Sequence, residues 1–340
     1  MEKIGILADN IFMEHRTGAH VESPDRLRVI YDMLEEEKYY DSSTRIELRR
    51  ATDEEIVLNH DEAYIHMLES TGPGNLDSDT VLSERSLEVA RLAVGGCLNM
   101  VDEIMSGRIV KGFAFVRPPG HHAEKERGMG FCLFNNIAIA ARHLMKEHGL
   151  QRIAIIDWDL HHGNGTEHSF YSEKGLLYLS MHQSPCYPGT GGLRDVGTGE
   201  GEGFNVNLPI AAGAGDAEYL KAFDELFLPI MERYRPEIIL VSAGFDTHRL
   251  DPLGAMELSA AGFGAMGQRL SELAGQVCGG KIGFFLEGGY SLEGLKESVS
   301  ELLYAITGEK AYDLPPSGDT SIDELLGIAK LVQERYWGSL

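Results

Sequence analysis

Cysteine is scarce: four in 340 residues, at positions 97, 132, 186 and 278, with no CxxC pair among them. That excludes a disulfide framework and a thiolate zinc site, and leaves reduced thiols as the expectation. Basic residues are also few. Thirty Lys and Arg stand against 53 Asp and Glu, a formal charge of −23, which excludes the basic surface that nucleic-acid phosphates demand. The acidic excess would attract cationic ligands, although an acidic surface kept for solubility is the ordinary explanation. No apolar run approaches the roughly 18 residues of a membrane span. Nor does "MEKIGILADN" carry the basic start and apolar stretch of a signal peptide. No nucleic-acid or membrane partner is expected, and the expected location is cytoplasmic.

What is present is an ordinary globular composition, 43% apolar and 24% charged, in a chain long enough for one large α/β domain or two average ones. Apolar runs at 3–8, 112–116, 152–157, 176–181, 203–208, 237–244 and 281–289 alternate with segments of helical length and spacing at 84–105, 134–149, 216–234, 259–275 and 293–307. Continuous runs mark strands buried on both faces, so the pattern predicts a β-α-β-α order and a largely parallel sheet. No linker, repeat or low-complexity block divides it, and residues 1–340 are expected to form a single domain. An amphipathic helix at 321–336 has an apolar face able to pack on that domain. Three connections, 9–23, 70–83 and 183–202, are too long and polar for ordinary turns and are candidate rims of a site.

In open parallel sheets, ligands bind beyond the carboxyl ends of the strands, and the unusual residues sit there. Arg117 to His122 follows the run at 112–116, and Asp157 to Gly165 follows 152–156. Phe245 and Asp246 come after the run at 237–244, and Tyr290 after 281–289. On extended backbone Asp157, Asp159 and His161 share one face, and Trp158, Leu160 and His162 the other. Zinc takes imidazole nitrogen and carboxylate oxygen, and a catalytic site keeps one position open, so Asp159, His161 and Asp246 are the candidate ligands. Two anionic ligands nearly neutralise the ion, which limits how far it acidifies water and makes a nearby base useful.

His121 and His122 are candidates for that base and for the acid that protonates a leaving amine. Asp157 and Asn164 are candidates to orient them, the carboxylate raising its partner's basicity more than the amide does. Tyr290, after two glycines, offers a phenol to an oxyanion. Each signal alone has an ordinary explanation: a surface His pair, an Asp capping a helix, "RPPG" and "EGGY" as turns. Their coincidence at four strand ends points to a metal site.

The motifs "RPPGHHAE", "GMGFCLFNN", "DWDLHHGNGTE", "CYPGTGG", "GFNVNLP", "VSAGFDTHRLDPLG" and "LEGGY" resemble those of the zinc-dependent histone deacetylase superfamily, over about residues 15 to 305. They are nearer to its class II and bacterial amidohydrolase branches than to class I. The resemblance implies an arginase-like α/β fold with an eight-stranded, mainly parallel sheet between helices. It implies one zinc ion on Asp159, His161 and Asp246, tandem His121 and His122, and Tyr290 polarising the scissile carbonyl. It further implies an acyl-lysine channel walled by Phe131 and Tyr187 with the Gly130 carbonyl near the substrate amide, although a core position would explain either aromatic alone. A structural potassium ion on Asp157 and Asp159 oxygens and backbone around His161, Ser180 and Met181 is also implied; it would offset the clustered negative charge.

The implied reaction is amide hydrolysis, giving acetate and a free amine, with the division of proton transfers between the two histidines left open. Substrates of the superfamily include acetyl-lysine in peptides and proteins, acetylated polyamines and other acyl amides. Leu253 stands where polyamine-selective eukaryotic relatives carry a glutamate, which favours acyl-lysine or a broad amide substrate. Asp77 or Asp79 could grip a substrate backbone or an amine, or simply close a loop turn. His20 and Cys186 lie in rim loops without an assigned role. An acyl-lysine binding module would have lost a ligand or the phenol. A ureohydrolase would need further acids to bridge two manganese ions, where His162 and Gly163 stand. Iron or cobalt suits the same ligands as zinc, and self-association is a further expectation from the resemblance.

Overall fold

All seven apolar runs become strands of one sheet. The computed structural model describes residues 4–313, 318 and 320–340; Lys3, which opens the first run, lies outside them. In chain order the strands are β1 (Ile4–Leu7), β2 (Thr44–Arg45), β3 (Gly74–Asn75), β4 (Val81–Leu82), β5 (Lys111–Ala114), β6 (Ile153–Asp157), β7 (Leu176–Gln183), β8 (Asn205–Ile210), β9 (Ile238–Ala243) and β10 (Ile282–Leu286). Eight of them hydrogen-bond in the order β2-β1-β5-β10-β9-β6-β7-β8, and every ladder is parallel. The eighth strand is β2, two residues long, polar and at the edge. β3 and β4 form a separate antiparallel pair inside the 70–83 connection.

β6, β9 and β10 are buried at every residue, as strands covered by helices on both faces must be. The covering helices include Ser86–Met105, Asn136–Glu147, Ala260–Val277 and Leu292–Thr307. Local chemistry sets their ends. Ser259 Oγ accepts from Gly262 N and Ser291 Oγ from Gly294 N, and Gly308 ends its helix at φ 77°, a conformation that costs glycine nothing.

The segment 216–234 is not one helix. Asp216–Ala222 and Leu228–Tyr234 are α-helical, with a π-helical turn at Phe223–Phe227 between them. Pro229 has no N–H for the carbonyl four residues back, and the widened turn accommodates that break. The helices Asp25–Glu36, Glu62–Ser70 and Asn164–Phe170 were not among the expected elements. At the other end, Asp323–Trp337 packs beside β8: Leu326 and Ala329 are buried, Gln333 Nε2 donates to Asn205 O, and Trp337 Nε1 donates to Gly203 O.

Candidate active site

The carboxyl ends of the adjacent strands β10, β9 and β6 bring Tyr290, Asp246 and the 157–164 segment together, and the segment after β5 adds His121 and His122. Asp159, His161 and Asp246 each present one donor atom, all within 4.8 Å of one another. Backbone amides pin the far oxygen of each carboxylate: Gly288 N donates to Asp159 Oδ2 (2.7 Å) and Leu160 N to Asp246 Oδ1 (2.8 Å). The near oxygens face His161 Nδ1, at 3.2 Å for Asp159 and 3.1 Å for Asp246. A β-carbon at Gly288 would fall 2.3 Å from Asp246 Oδ2 and 2.6 Å from Asp159 Oδ2, so only glycine allows this approach.

These two carboxylates are 1% and 0% exposed. Burial and the charge of Asp159 push the Asp246 carboxyl up to about 7. Burial opposes ionisation of Asp159 as well, but His121 and His161 hold it well below the usual range. Buried, mutually repelling oxygens beside an imidazole nitrogen form a donor set that a borderline divalent cation satisfies better than shared protons do.

The two histidines differ. His121 Nδ1 meets Asp157 Oδ2 at 3.1 Å, and that oxygen also accepts from Tyr178 Oη. Burial disfavours charge on His121, yet Asp159, Asp157 and Glu287 raise it to about 10. His122 Nδ1 meets Asn164 Oδ1 at 2.7 Å. The Asn164 amide nitrogen is directed to Glu124 Oε1 (2.5 Å) and His122 O (3.3 Å), so its oxygen must be the acceptor and His122 Nδ1 the donor. Burial, His121 and His161 hold His122 well below its ordinary value. It is thus a neutral imidazole whose Nε2 keeps its lone pair.

A cavity of about 300 Å³ leads to this floor, lined by Asp79, His122, Gly130, Phe131, His161, Cys186, Tyr187, Leu253 and Tyr290. Phe131 and Gly130 have φ of 70° and 55°; Phe131 N donates to Thr80 Oγ1, and the Phe131 ring meets those of Tyr290 and His20 edge-on, 5.8 and 4.7 Å between centroids. Tyr187 is 40% exposed and Leu253 37%, so both form the mouth. Two of the three long connections thus line the cavity, through Asp79 and Tyr187, while His20 of the third packs against Phe131.

The two aspartates of the 70–83 loop divide their roles. Asp77 Oδ1 accepts from Asp79 N and Thr80 N and closes the turn, while Asp79 reaches the cavity. Of the residues expected around potassium, Asp157 and Ser180 lie opposite each other in the β6–β7 ladder with Met181 next, and Ser180 Oγ contacts His182 Nδ1. His162 is turned away, held by Glu167 and Thr190. A cavity of about 610 Å³ shares Cys186 and Tyr187 with the first but contains none of the three candidate ligands.

Residues 20–306 match the histone deacetylase domain. The chain belongs to the histone deacetylase family. It is similar to histone deacetylase 14, chloroplastic, of Arabidopsis thaliana, 40% identical over 315 residues that cover 87% of this chain and 74% of the relative. It is also 37% identical to polyamine deacetylase HDAC10 of Homo sapiens, covering 94% of this chain and 50% of that one. Among solved structures, that of the HDA15 HD domain superposes with a TM-score of 0.93 at 35% identity, covering 99% and 97% of the two chains. The fold is therefore the deacetylase fold, and the chain is a deacetylase acting on amide bonds.

Sequence reasoning missed the residues that hold this deacetylase site from behind. Glu287 Oε2 accepts from Gly120 N (2.7 Å) and His121 N (3.1 Å) and so fixes the tandem histidines; burial pushes its carboxyl up to about 7. Asp251 Oδ2 accepts from Tyr290 N and Ser291 N. Glu22, fully buried, takes both Arg117 and Arg26, and the Arg26 guanidinium lies 4.9 Å over the Tyr290 ring while bonding Gly289 O and Glu287 O. A glutamate beside a glycine pair after a buried strand was the available signal for Glu287. Nothing local marked Glu22.

Proposed function

We propose that this deacetylase hydrolyses N-acyl-lysine side chains with one zinc ion held by Asp159, His161 and Asp246. The observation that carries the reading is the convergence of these three donors at the floor of a narrow cavity walled by Phe131 and Tyr187. Zinc bound there would supply Lewis acidity towards the acyl carbonyl and a lower pKa for water. Phe131 and Tyr187 grip the aliphatic stem of the substrate, and the Gly130 carbonyl is placed to accept from its amide N–H. His122, neutral and oriented by Asn164, takes the proton of the attacking water at Nε2. His121, held cationic by Asp159 and Asp157, stabilises the negative charge that develops beside it. The Tyr290 phenol, kept protonated by burial, donates to the oxyanion. The proton gathered at His122 then passes to the departing amine, leaving acetate and a free amine. A potassium ion on Asp157, Asp159, His161, Ser180 and Met181 would offset the buried carboxylates behind the site.

For the substrate, apolar Leu253 at the mouth gives a distal ammonium no counter-charge, which favours acyl-lysine. One observation supports an acetylpolyamine instead: Asp79 puts a carboxylate on the same rim. Amine release from an acetyl-lysine peptide and from acetylspermidine, measured side by side on zinc-loaded protein, decides between them. Peptide preference is expected, with Leu253→Glu moving the ratio towards the polyamine by up to about five-fold, the scale of one new charge pair at an exposed site. Polyamine preference in the native protein would overturn the substrate reading. Tyr290→Phe should lower kcat by about 10²–10³-fold; native protein that binds the peptide without turnover would instead indicate a binding module.

A further inference from the structure

The helix Ser86–Met105 leads into β5, and Asn136–Glu147 into β6. In such βαβ units helices run antiparallel to the strands, so both end at the amino edge of the sheet, the edge away from the candidate active site. There Asp102, in the last turn of the first helix, faces His143 of the second and His148 just past its end. Asp102 Oδ1 lies 2.8 Å from His143 Nε2 and 2.7 Å from His148 Nε2. One donor atom from each of the three falls within 4.8 Å of the others, and the rings stand edge-on with centroids 5.9 Å apart.

We infer that Asp102, His143 and His148 form a second metal site, for a borderline divalent cation such as Zn²⁺, independent of the one used in catalysis. Three features support it. Two imidazole nitrogens and a carboxylate oxygen within 4.8 Å of one another make the donor set that zinc, nickel or cobalt prefers over magnesium or calcium. Next, an aspartate in the last turn of a helix sits against the negative end of the helix dipole. His148 is itself the C-cap residue of the second helix, so two such negative ends converge here and a cation would relieve both. Finally, the three line an open cleft of about 500 Å³ with Glu54, Glu55 and Glu147. Its cations are already engaged: Arg49 forks onto Glu55 at 2.7 Å on both nitrogens, and Lys146 lies 3.5 Å from Glu147. His143 is nearly buried while Asp102 and His148 are partly exposed, which leaves coordination positions for water. A metal here would tie the two helix ends together.

Equilibrium dialysis against Zn²⁺ with metal analysis tests the site. The native protein should hold two ions per chain and Asp246→Asn one. Asp246→Asn combined with His148→Ala should hold none; His148 is exposed enough for that change to leave the fold intact, checked by circular dichroism. In Asp246→Asn protein, Co²⁺ should give a visible ligand-field spectrum that His148→Ala abolishes, and Zn²⁺ should raise Tm only while His148 is present. A metal count that His148→Ala does not lower, in the native or the Asp246→Asn protein, overturns the proposal. If Asp246→Asn does not lower the count while His148→Ala does, the catalytic ligand assignment fails and this site stands.

Discussion

Both edges of the sheet carry an Asp and His cluster, and their surroundings make them different. At the carboxyl edge, Asp159 and Asp246 are buried and fixed by backbone amides of Gly288 and Leu160. Their charges shift the titrating neighbours, and the two tandem histidines part company, His121 upwards and His122 downwards. At the amino edge, Asp102 and His148 are partly exposed, and Asp102 is held low, burial being outweighed by bonds to His143 and His148. Ligand types alone do not make a catalytic centre. Burial, a cavity that admits a substrate stem, and a neutral imidazole aimed into it do, because electrostatic interactions strengthen as water is excluded.

The sharpest way to break that comparison is to exchange loss at the two edges. His122→Ala should lower kcat by about 10²–10⁴-fold with the zinc content unchanged, whereas His148→Ala should leave kcat within two-fold, a span of about 0.4 kcal/mol at 0.6 kcal/mol per e-fold. Equal losses in a steady-state assay would mean that the amino-edge cluster also serves turnover.

A second effect tests the buried frame of the carboxyl edge. Glu22→Gln leaves Arg117 and Arg26 as uncompensated buried charges and should destabilise the fold by roughly 3–5 kcal/mol in urea titration. A loss under about 1 kcal/mol would show that this network is no more important than a surface ion pair.

The third is a pH dependence. Burial pushes His15 and His60 down to about 4, so between pH 6.5 and 4 the unfolded chain binds protons that the folded chain refuses. The contribution of these two histidines should therefore be full above pH 6.5 and fall by a few kcal/mol as pH drops to 4, because each tenfold difference in proton affinity between the two states is worth roughly 1.4 kcal/mol. His60→Gln should flatten the slope of Tm against pH; an unaltered slope would remove His60 from the account.

The smallest expected effect is that of Asp102→Asn, which in metal-free protein should change stability by no more than about 1 kcal/mol and, in the Asp246→Asn background, remove the Zn²⁺-dependent rise in Tm.

Legibility follows the distance over which each feature is determined. β6, β9 and β10 are legible because their burial on both faces writes a continuous apolar run, while β2, two polar residues on an edge, leaves none. The helix Asp25–Glu36 does carry a signal, with Leu27, Ile30, Tyr31 and Leu34 at helical spacing and buried, but it sits among polar connections that read as rim. Asp157 and Asn164, legible as partners for the two histidines, lie against them. Glu287 is not legible in this way, since its role exists only once residues 166 and 167 positions apart in the chain are joined.

The sequence by itself determined that strand ends would present Asp159, His161, Asp246, His121, His122 and Tyr290, because strand periodicity and the residue types that end strands are local properties. Only the tertiary structure decided which imidazole is neutral, which aspartate of the 70–83 loop reaches the cavity, and that Asp102 meets His143 and His148. Protonation and contact depend on burial and on groups that chain folding alone brings within a few ångströms.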